Sequence, residues 1–433
     1  MMNLYLSKIN TSGILSARKV FFVGIGGIGI SAIARMMLLE GKVVLGSDMG
    51  ESEITNELKK FGVDIFMGQD INFIPKDIEL IVYTIAVPKY DPKFFEQLKN
   101  TFNVVPILSY PEMLGVVTEN KYTIAVSGTH GKTTTTAMIA KILIDAGLDP
   151  TVVVGSLLKD YKSNFIAGKS EFFVVEACEY ERSFLNIKPK ILVITNIEAD
   201  HLDYYKDLED IKSAFKQLES QSEIVISDYQ KYLDKVPKLA VPGIHNRMDA
   251  AAALAVADVL GIDESSARKS LQGFSGTWRR LEKKGVTKEG TIVYDDYAHH
   301  PTEIKASLQG LRELYPKKNK KKITVLFQPH LYSRTKALFD DFVMSFDGAD
   351  RILLLPIYFA REIKDDSVSS EKLANAICDH FLKKENTAFV EAFPDFKSAE
   401  VYVNELNLGE NDVFVTMGAG EAYKVAEKVF NFS

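Results

Sequence analysis

Cysteine is scarce: Cys178 and Cys378 are the two in 433 residues. Two thiols cannot build a disulfide framework or a four-cysteine zinc site, and they suit a reducing cytosol. Long apolar runs are missing too. No stretch approaches the roughly 18 uncharged apolar residues that would read as a membrane span. The first 19 residues lack a basic stretch followed by an apolar core and a small-residue cleavage site, so a cytoplasmic protein without a signal peptide is expected. Nor is there an excess of positive charge. Lysine and arginine number 52 against 58 acidic residues, a net of −6, which argues against nucleic acid or an anionic membrane as the main partner. The patterns G-x-S-x-G, H-E-x-x-H and C-x-x-C do not occur, so serine hydrolase, zincin and thiol-redox readings lose support.

What remains is ordinary for a globular chain, with 46% hydrophobic and 25% charged residues. At about 150 residues per domain, three domains are expected. A short apolar run followed by a helix-length amphipathic stretch recurs in three series. The first has strands at Lys19–Val23, Lys42–Ser47 and Leu80–Thr84, with helices Ile30–Glu40 and Thr55–Phe61 between them. The second has Tyr122–Ser127, Phe172–Glu176, Ile191–Thr195 and Glu223–Ser227, with a helix over Thr133–Ala146. The third has Thr291–Asp295, Ile323–Phe327, Arg351–Pro356 and Val413–Met417, with helices Pro301–Leu314 and Ser333–Phe346. Such alternation predicts parallel sheets of an α/β fold. Breaks are expected near Pro111–Asn120 and Gly273–Glu289, giving domains over 1–117, 118–278 and 279–433. The lysine run Lys317–Lys322 reads as a solvated loop.

Two glycine-containing turns carry phosphate-binding chemistry. Gly24, Gly26 and Gly29 fit G-x-G-x-x-G between a strand and a helix, with Gly27 inside the turn and Ser47 and Asp48 closing the next strand. Glycines let the backbone approach a pyrophosphate at the helix N-terminus, and a carboxylate at the second strand end can take a ribose hydroxyl. The pattern does not separate NAD from any other diphosphate nucleotide. The second turn, Ser127-Gly128-Thr129-His130-Gly131-Lys132-Thr133-Thr134-Thr135, also joins a strand to a helix. Loop amides there would cradle phosphates, Lys132 would neutralise the terminal oxygens, and the Thr133 hydroxyl would face Mg²⁺. One diphosphate and one triphosphate signature in a single chain disfavour a simple dehydrogenase.

Acidic and imidazole groups follow the strands of the second series: Glu176 and Glu179, then Asn196, Glu198, Asp200, His201 and Asp203. Strand C-termini of a parallel sheet share the edge that carries the phosphate loop, and Mg²⁺ takes carboxylate oxygens plus phosphate. His245-Asn246 opens a helix, and Arg280 follows the second break, where it would clamp a phosphate or make a surface ion pair. Trp278, the single tryptophan, is expected to be a buried packing residue. Two further clusters, Tyr294–Glu303 (with Asp296, Tyr297 and His299) and Gln328–Thr335 (with His330 and Arg334), end strands of the third series. Six of the seven histidines fall in these motifs, all but His380. Structural histidines would scatter, so the third domain is expected to contribute to an active site.

In order along the chain, Gly24–Gly29, SGTHGKTTTT, VEACEY, TNIEADH, His245-Asn246, YDDYAHHPTE, FQPHLYSRT and DVFVTMGAG resemble the Mur ligases from about Lys19 to the C-terminal helix. The resemblance implies three domains: a Rossmann-like N-terminal domain, a central P-loop domain and a Rossmann-like C-terminal domain. It implies ATP- and Mg²⁺-dependent amide formation in cell-wall precursor synthesis. The γ-phosphoryl group would pass to the carboxylate of UDP-N-acetylmuramate, and the amine of L-alanine would attack the acyl phosphate. By the same resemblance Gly24, Gly26, Gly27, Gly29, Ser47 and Asp48 would hold the UDP-sugar. Gly128, Thr129, His130, Gly131, Lys132, Thr133, Thr134, Asn246, Arg280 and Asp296 would bind ATP. Thr133, Glu176 and His201 would serve the metal, and Tyr297, His299 and Arg334 the amino acid, with Lys132, Glu176, His201, His299 and Arg334 catalytic. The partners would be small molecules and the chain a monomer or weak homodimer. In one departure from the family, Asp249 stands where a second asparagine usually follows Asn246. The rival readings are a sister ligase adding another amino acid or a recycled tripeptide, and a nucleotide-sensing binding protein without turnover.

Overall fold

The computed structural model describes residues 11–161, 163–359, 362–385 and 388–430. They divide into two compact units. The first comprises residues 11–199, Asp207–Tyr229 and Ala252–Ser270; the second comprises Asp200–Lys206, Gln230–Ala251 and the described residues from Leu271 onward.

Two sheets lie in the first unit. Strands β1 (Lys19–Val23), β2 (Val43–Asp48), β3 (Asp64–Met67), β4 (Leu80–Tyr83) and β5 (Ile107–Ser109) form an all-parallel sheet in the order β3-β2-β1-β4-β5. The sequence of β1, KVFFV, is apolar and buried after its first residue, as suits a central parallel strand covered on both faces. The second sheet holds β6 (Tyr122–Ser127), β7 (Thr151–Leu158), β8 (Ser163–Ile166), β9 (Phe172–Glu176), β10 (Ile191–Ile194) and β11 (Ile224–Ile226). Its order is β11-β10-β6-β9-β7-β8, and β7 and β8 pair antiparallel. In each sheet the chain reverses strand order beside the first strand, the position where open α/β sheets leave a crevice for ligands.

The second unit is built on one sheet of β12 (Glu282–Val286), β13 (Ile292–Asp296), β14 (Lys322–Phe327), β15 (Arg351–Leu354), β16 (Phe389–Ala392) and β17 (Asp412–Met417), ordered β12-β13-β17-β14-β15-β16. Its strands are parallel except for β12, which pairs antiparallel with β13 across a bulge. One core, including Phe327, Phe342, Phe346, Ile352 and Phe381, lies on one face; another, including Leu326, Leu353 and Phe414, lies on the other. Among the described residues no helix is long and apolar enough to cross a membrane.

Several expectations are corrected. The stretch Pro111–Asn120, expected to hold a break, is mostly helical: Tyr110–Thr118 is a helix, opened by a Ser109–Glu112 capping box with proline in its first turn. Proline there starts the helix rather than stopping it, because a first-turn residue has no intrahelical acceptor to lose. The helix expected over Ser333–Phe346 is two short ones, Tyr332–Ala337 and Phe339–Val343, interrupted at Leu338. Trp278 is half-buried rather than buried.

Candidate active site

In the first unit the glycine bend follows β1. The amides of Gly24 and Ile25 both donate to the carbonyl of Ser47, at 2.8 and 3.0 Å, tying the bend to the end of β2. Gly24 has φ +78°, and a Cβ there would fall 2.4 Å from the Thr84 methyl, so two constraints select glycine. Asp48 accepts a 2.7 Å hydrogen bond from the Gly26 amide. The carboxylate expected to meet a ribose thus also holds the bend. Gly27 caps the helix Ile28–Leu39 without a side-chain hydrogen bond, so the first helical amides and the dipole face the bend.

The second turn follows β6 and opens the helix Lys132–Asp145 through Gly131 in the left-handed region, φ +82°. Gly128, at φ +137°, has no room for a side chain, since a Cβ would sit 2.0 Å from the Thr195 hydroxyl. Residues after β10 brace this loop. The Asn196 side chain accepts from the His130 amide at 2.9 Å and donates to the His130 carbonyl at 3.0 Å. The Thr129 hydroxyl accepts from the Glu198 amide at 2.8 Å. Thr134 is buried in the first turn of the helix.

Lys132 curls over its own loop. Its Nζ donates to the Gly128 carbonyl at 2.6 Å, to that of Thr129 at 3.1 Å, and to the buried Glu179 carboxylate at 3.0 Å. Burial works against the ammonium charge, but Glu179 outweighs it and holds Lys132 above the usual lysine range. Thr133 donates to Glu176 at 3.0 Å, and the same carboxylate oxygen accepts from the Gly155 amide at 2.7 Å. Thr133 and Glu176 therefore present hard oxygen atoms beside the loop, the donor type that suits Mg²⁺. Glu179 is the member of this cluster that the sequence reading left without a role, although VEACEY contains it.

The second unit gathers the imidazoles. His201 has φ +53°, a left-handed conformation that is uncommon for a non-glycine residue. Its neighbour Asp200 accepts from Arg334 Nη2 at 3.0 Å and from the His201 amide at 2.7 Å. Although burial opposes the Asp200 charge, Arg334, His201 and His299 together hold this carboxyl well below the carboxylate range. Arg334, expected to receive an amino-acid carboxylate, is thus already paired with a protein carboxylate. It also donates to His330 Nδ1 at 3.0 Å. Arginine has no acceptor, so this bond places the His330 proton on Nε2.

His299 lies 5.8 Å from His330, ring centre to ring centre. Its Nδ1 meets the Tyr297 carbonyl at 3.0 Å, which leaves Nε2 as the acceptor. Burial lowers the pKa of His299 to about 4 and that of His330 to about 3, so both rings are neutral near pH 7.

Asp296, at the end of β13, is raised to about 6 by burial, against the pull of the Ser307 hydroxyl and Arg280. Arg280 lies 3.7 Å from Glu303. Asn246 is buried in the helix Ile244–Val259 and donates to the Pro242 carbonyl at 2.5 Å; Asp249 is buried one turn on. Arg279, which sequence reasoning passed over for Arg280, is the buried arginine. It pairs with Asp295 at 2.7 Å and donates to the carbonyls of Gly418 and Gly420. No pattern in WRRLE marks which arginine turns inward.

A phosphate loop with its lysine and carboxylates, a separate glycine bend, and a cluster of neutral imidazoles around a paired arginine define a nucleotide-dependent ligase of the Mur type. The chain belongs to the Mur ligase family. Family models match in order: "Mur ligase family, catalytic domain" over residues 19–122, "Mur ligase middle domain" over 126–236, and "Mur ligase, glutamate ligase domain" over 279–420. The UDP-N-acetylmuramate–L-alanine ligase of Clostridium kluyveri is 39% identical, covering 96% of this chain and 98% of its own. The enzyme of the same name from Clostridium acetobutylicum is 38% identical over 95% and 97%. The crystal structure of UDP-N-acetylmuramate–alanine ligase from Thermotoga maritima matches at a TM-score of 0.76 and 29% identity, covering 95% and 98%.

Proposed function

We propose that this chain is an ATP-dependent ligase that joins L-alanine to the carboxylate of UDP-N-acetylmuramate in peptidoglycan precursor synthesis. The observation that carries the reading is the phosphate loop of a Mur ligase with Lys132 ion-paired to Glu179 and Thr133 bonded to Glu176, in a chain 38–39% identical over nearly its full length to alanine ligases.

A carboxylate is a poor electrophile until an oxygen of it has been phosphorylated. Its oxygen attacks the γ-phosphorus and ADP departs. The alanine nitrogen then attacks the acyl carbon, and phosphate leaves from the tetrahedral intermediate. In this reading Lys132 exchanges Glu179 for the phosphate oxygens of ATP and, with the loop amides of Gly128–Thr134, stabilises the charge that builds up during transfer. Thr133 and Glu176, with His201, would hold Mg²⁺, which supplies charge neutralisation at the phosphates. Asn246, Arg280 and Asp296 complete the ATP contacts. Gly24, Gly26, Gly27, Gly29, Ser47 and Asp48 seat the UDP-sugar. Arg334 takes the alanine carboxylate beside Tyr297, while His299 accepts a hydrogen bond from the alanine amine at Nε2.

The domains divide at 1–117, 118–278 and 279–433, the enzyme works in the cytoplasm as a monomer or weak homodimer, and neither nucleic acid nor membrane is a partner. Mass spectrometry of UDP-N-acetylmuramate incubated with the protein, Mg²⁺-ATP and L-alanine tests this directly. The expected mass gain is one alanyl residue. No gain with alanine, or a gain only with another amino acid or a peptide, overturns the reading.

A further inference from the structure

The helix Tyr110–Thr118 joins the last strand of the first sheet to the first strand of the second, and its first residue is aimed at the glycine bend. A Cβ built on Gly29 would lie 2.6 Å from the Cζ of Tyr110 and 2.7 Å from its hydroxyl oxygen. The phenol therefore rests directly on the first turn of the helix Ile28–Leu39, against backbone that glycine leaves bare. Further along, the same helix is pinned to the segment that follows strand β9 of the second sheet. Gly115 packs so tightly on the Asn186 carbonyl that a Cβ would approach it to 2.4 Å. Asn186 ends the short helical segment Tyr180–Asn186, which follows Glu176 and Glu179. The capping box fixes the pointing end: Ser109 accepts from the Glu112 amide, and Glu112 in turn accepts from the Ser109 amide at 2.7 Å.

Between these anchors Tyr110 is half-buried, and its hydroxyl has no hydrogen-bond partner among the described residues. Burial, then the nearby Cys178 and Glu176, push its ionisation above the ordinary tyrosine range, so the group is a donor at every physiological pH. A half-buried donor without an acceptor in the chain, placed over the glycine bend, is open to an acceptor from outside, either water or an oxygen of a ligand seated on the bend.

We propose that the Tyr110 hydroxyl donates a hydrogen bond to an anionic oxygen of the sugar-nucleotide substrate where it leaves the glycine bend toward the phosphate loop, making Tyr110 a substrate-binding residue. This rests on the function proposed above, which supplies the substrate. The ring supports the bend from behind, and the hydroxyl alone contacts the ligand.

Tyr110→Phe keeps the ring and removes the donor. Isothermal titration of UDP-N-acetylmuramate into the full chain without ATP is expected to show about tenfold weaker binding, the size of one hydrogen bond to a charged acceptor. KM for the sugar nucleotide should rise similarly, with kcat and the affinity for ATP unchanged. Unaltered sugar-nucleotide affinity in the variant overturns the proposal. Equal losses for ATP and the sugar nucleotide overturn it too, because they mean that Tyr110 only supports the scaffold. If the parent enzyme forms no alanyl product yet binds the sugar nucleotide, the proposed reaction falls while the titration still decides the role of Tyr110.

Discussion

Lys132 in the first unit and His299 in the second are both largely buried at strand–helix junctions, and burial opposes the charge of each, yet they end in opposite charge states. Lys132 keeps its charge because Glu179 and two loop carbonyls surround the ammonium. His299 loses its charge because desolvation exceeds the attraction of Glu303. The difference matches the chemistry each is proposed to meet. Phosphoryl transfer spreads negative charge over equatorial oxygens, and a permanent cation is the group that stabilises it. An amine nucleophile needs a neighbour with a free lone pair and no positive charge, which a neutral imidazole offers and an imidazolium does not.

The strongest way to break this comparison is at Lys132. Lys132→Ala should lower kcat at least ~10²-fold, by analogy with loss of one charge-stabilising donor. It also leaves Glu179 buried without its cation, so thermal unfolding should accompany the rate measurement to show that the fold persists. A variant that folds and turns over near the parent rate removes Lys132 from the phosphoryl step.

The second unit should be the more acid-sensitive of the two. His245, His299 and His330 have pKa values near 4, 4 and 3 in the fold, each lowered first by burial, against about 6.5 in the unfolded chain. Between pH 6.5 and 4 the unfolded chain takes up protons that the folded chain refuses. The stability these rings leave intact above pH 6.5 is therefore lost as pH falls toward 4. At pH 5 each costs on the order of 2 kcal/mol relative to pH 7. Asp296 moves the other way, since its raised pKa favours the fold as pH drops through about 6, but three rings outweigh one carboxyl. Trp278, the single tryptophan, lies in the second unit and reports its unfolding by fluorescence in a denaturant titration. His330→Phe should flatten the loss by about one ring's share. Equal midpoints at pH 7 and 5 would show that these imbalances do not exist.

Much of this arrangement was legible in the residues. β10 is an unbroken apolar run and β1, β6 and β14 are mostly apolar, and the turns after β1 and β6 contain glycines whose positions leave no room for a Cβ. Six strands escaped notice (β3, β5, β7, β8, β12 and β16); β7, TVVVGSLL, is apolar at its start, but others are of a different kind. β3 is DIFM on a sheet edge, largely exposed, and β12 is EKKGV, polar and bulged; neither carries a period that separates it from a loop. β5 has three residues, too few for any pattern. Long-range pairing was the other blind spot. Glu179 against Lys132, Asp200 against Arg334 and Asp295 against Arg279 are set by which strand ends meet, and spacing along the chain does not encode that. The helix break at Leu338 lacks a proline or glycine to announce it; the leucine packs instead against the core beneath.

The smallest effect expected concerns Asp296, a carboxyl whose pKa burial raises toward neutral pH. Asp296 sits at a pKa of about 6, raised by burial and held from going higher in part by the Ser307 hydroxyl, which donates to its carboxylate. Ser307→Ala removes that donor, and a net hydrogen bond of about 1 kcal/mol corresponds to somewhat under one pKa unit. The shift must be upward, because the lost bond favoured the ionised form. If Asp296 contacts ATP as a carboxylate, the acid limb of kcat/KM for ATP should therefore move to higher pH by up to about one unit, with the plateau near pH 8 little changed. The corresponding profile for alanine should stay put, since its proposed contacts, Arg334 and His299, lie outside this bond. A limb that moves for both substrates would mean that Asp296 governs the shape of the second unit as a whole, and the division between a charged phosphate site and a neutral amine site would then need to be redrawn around it.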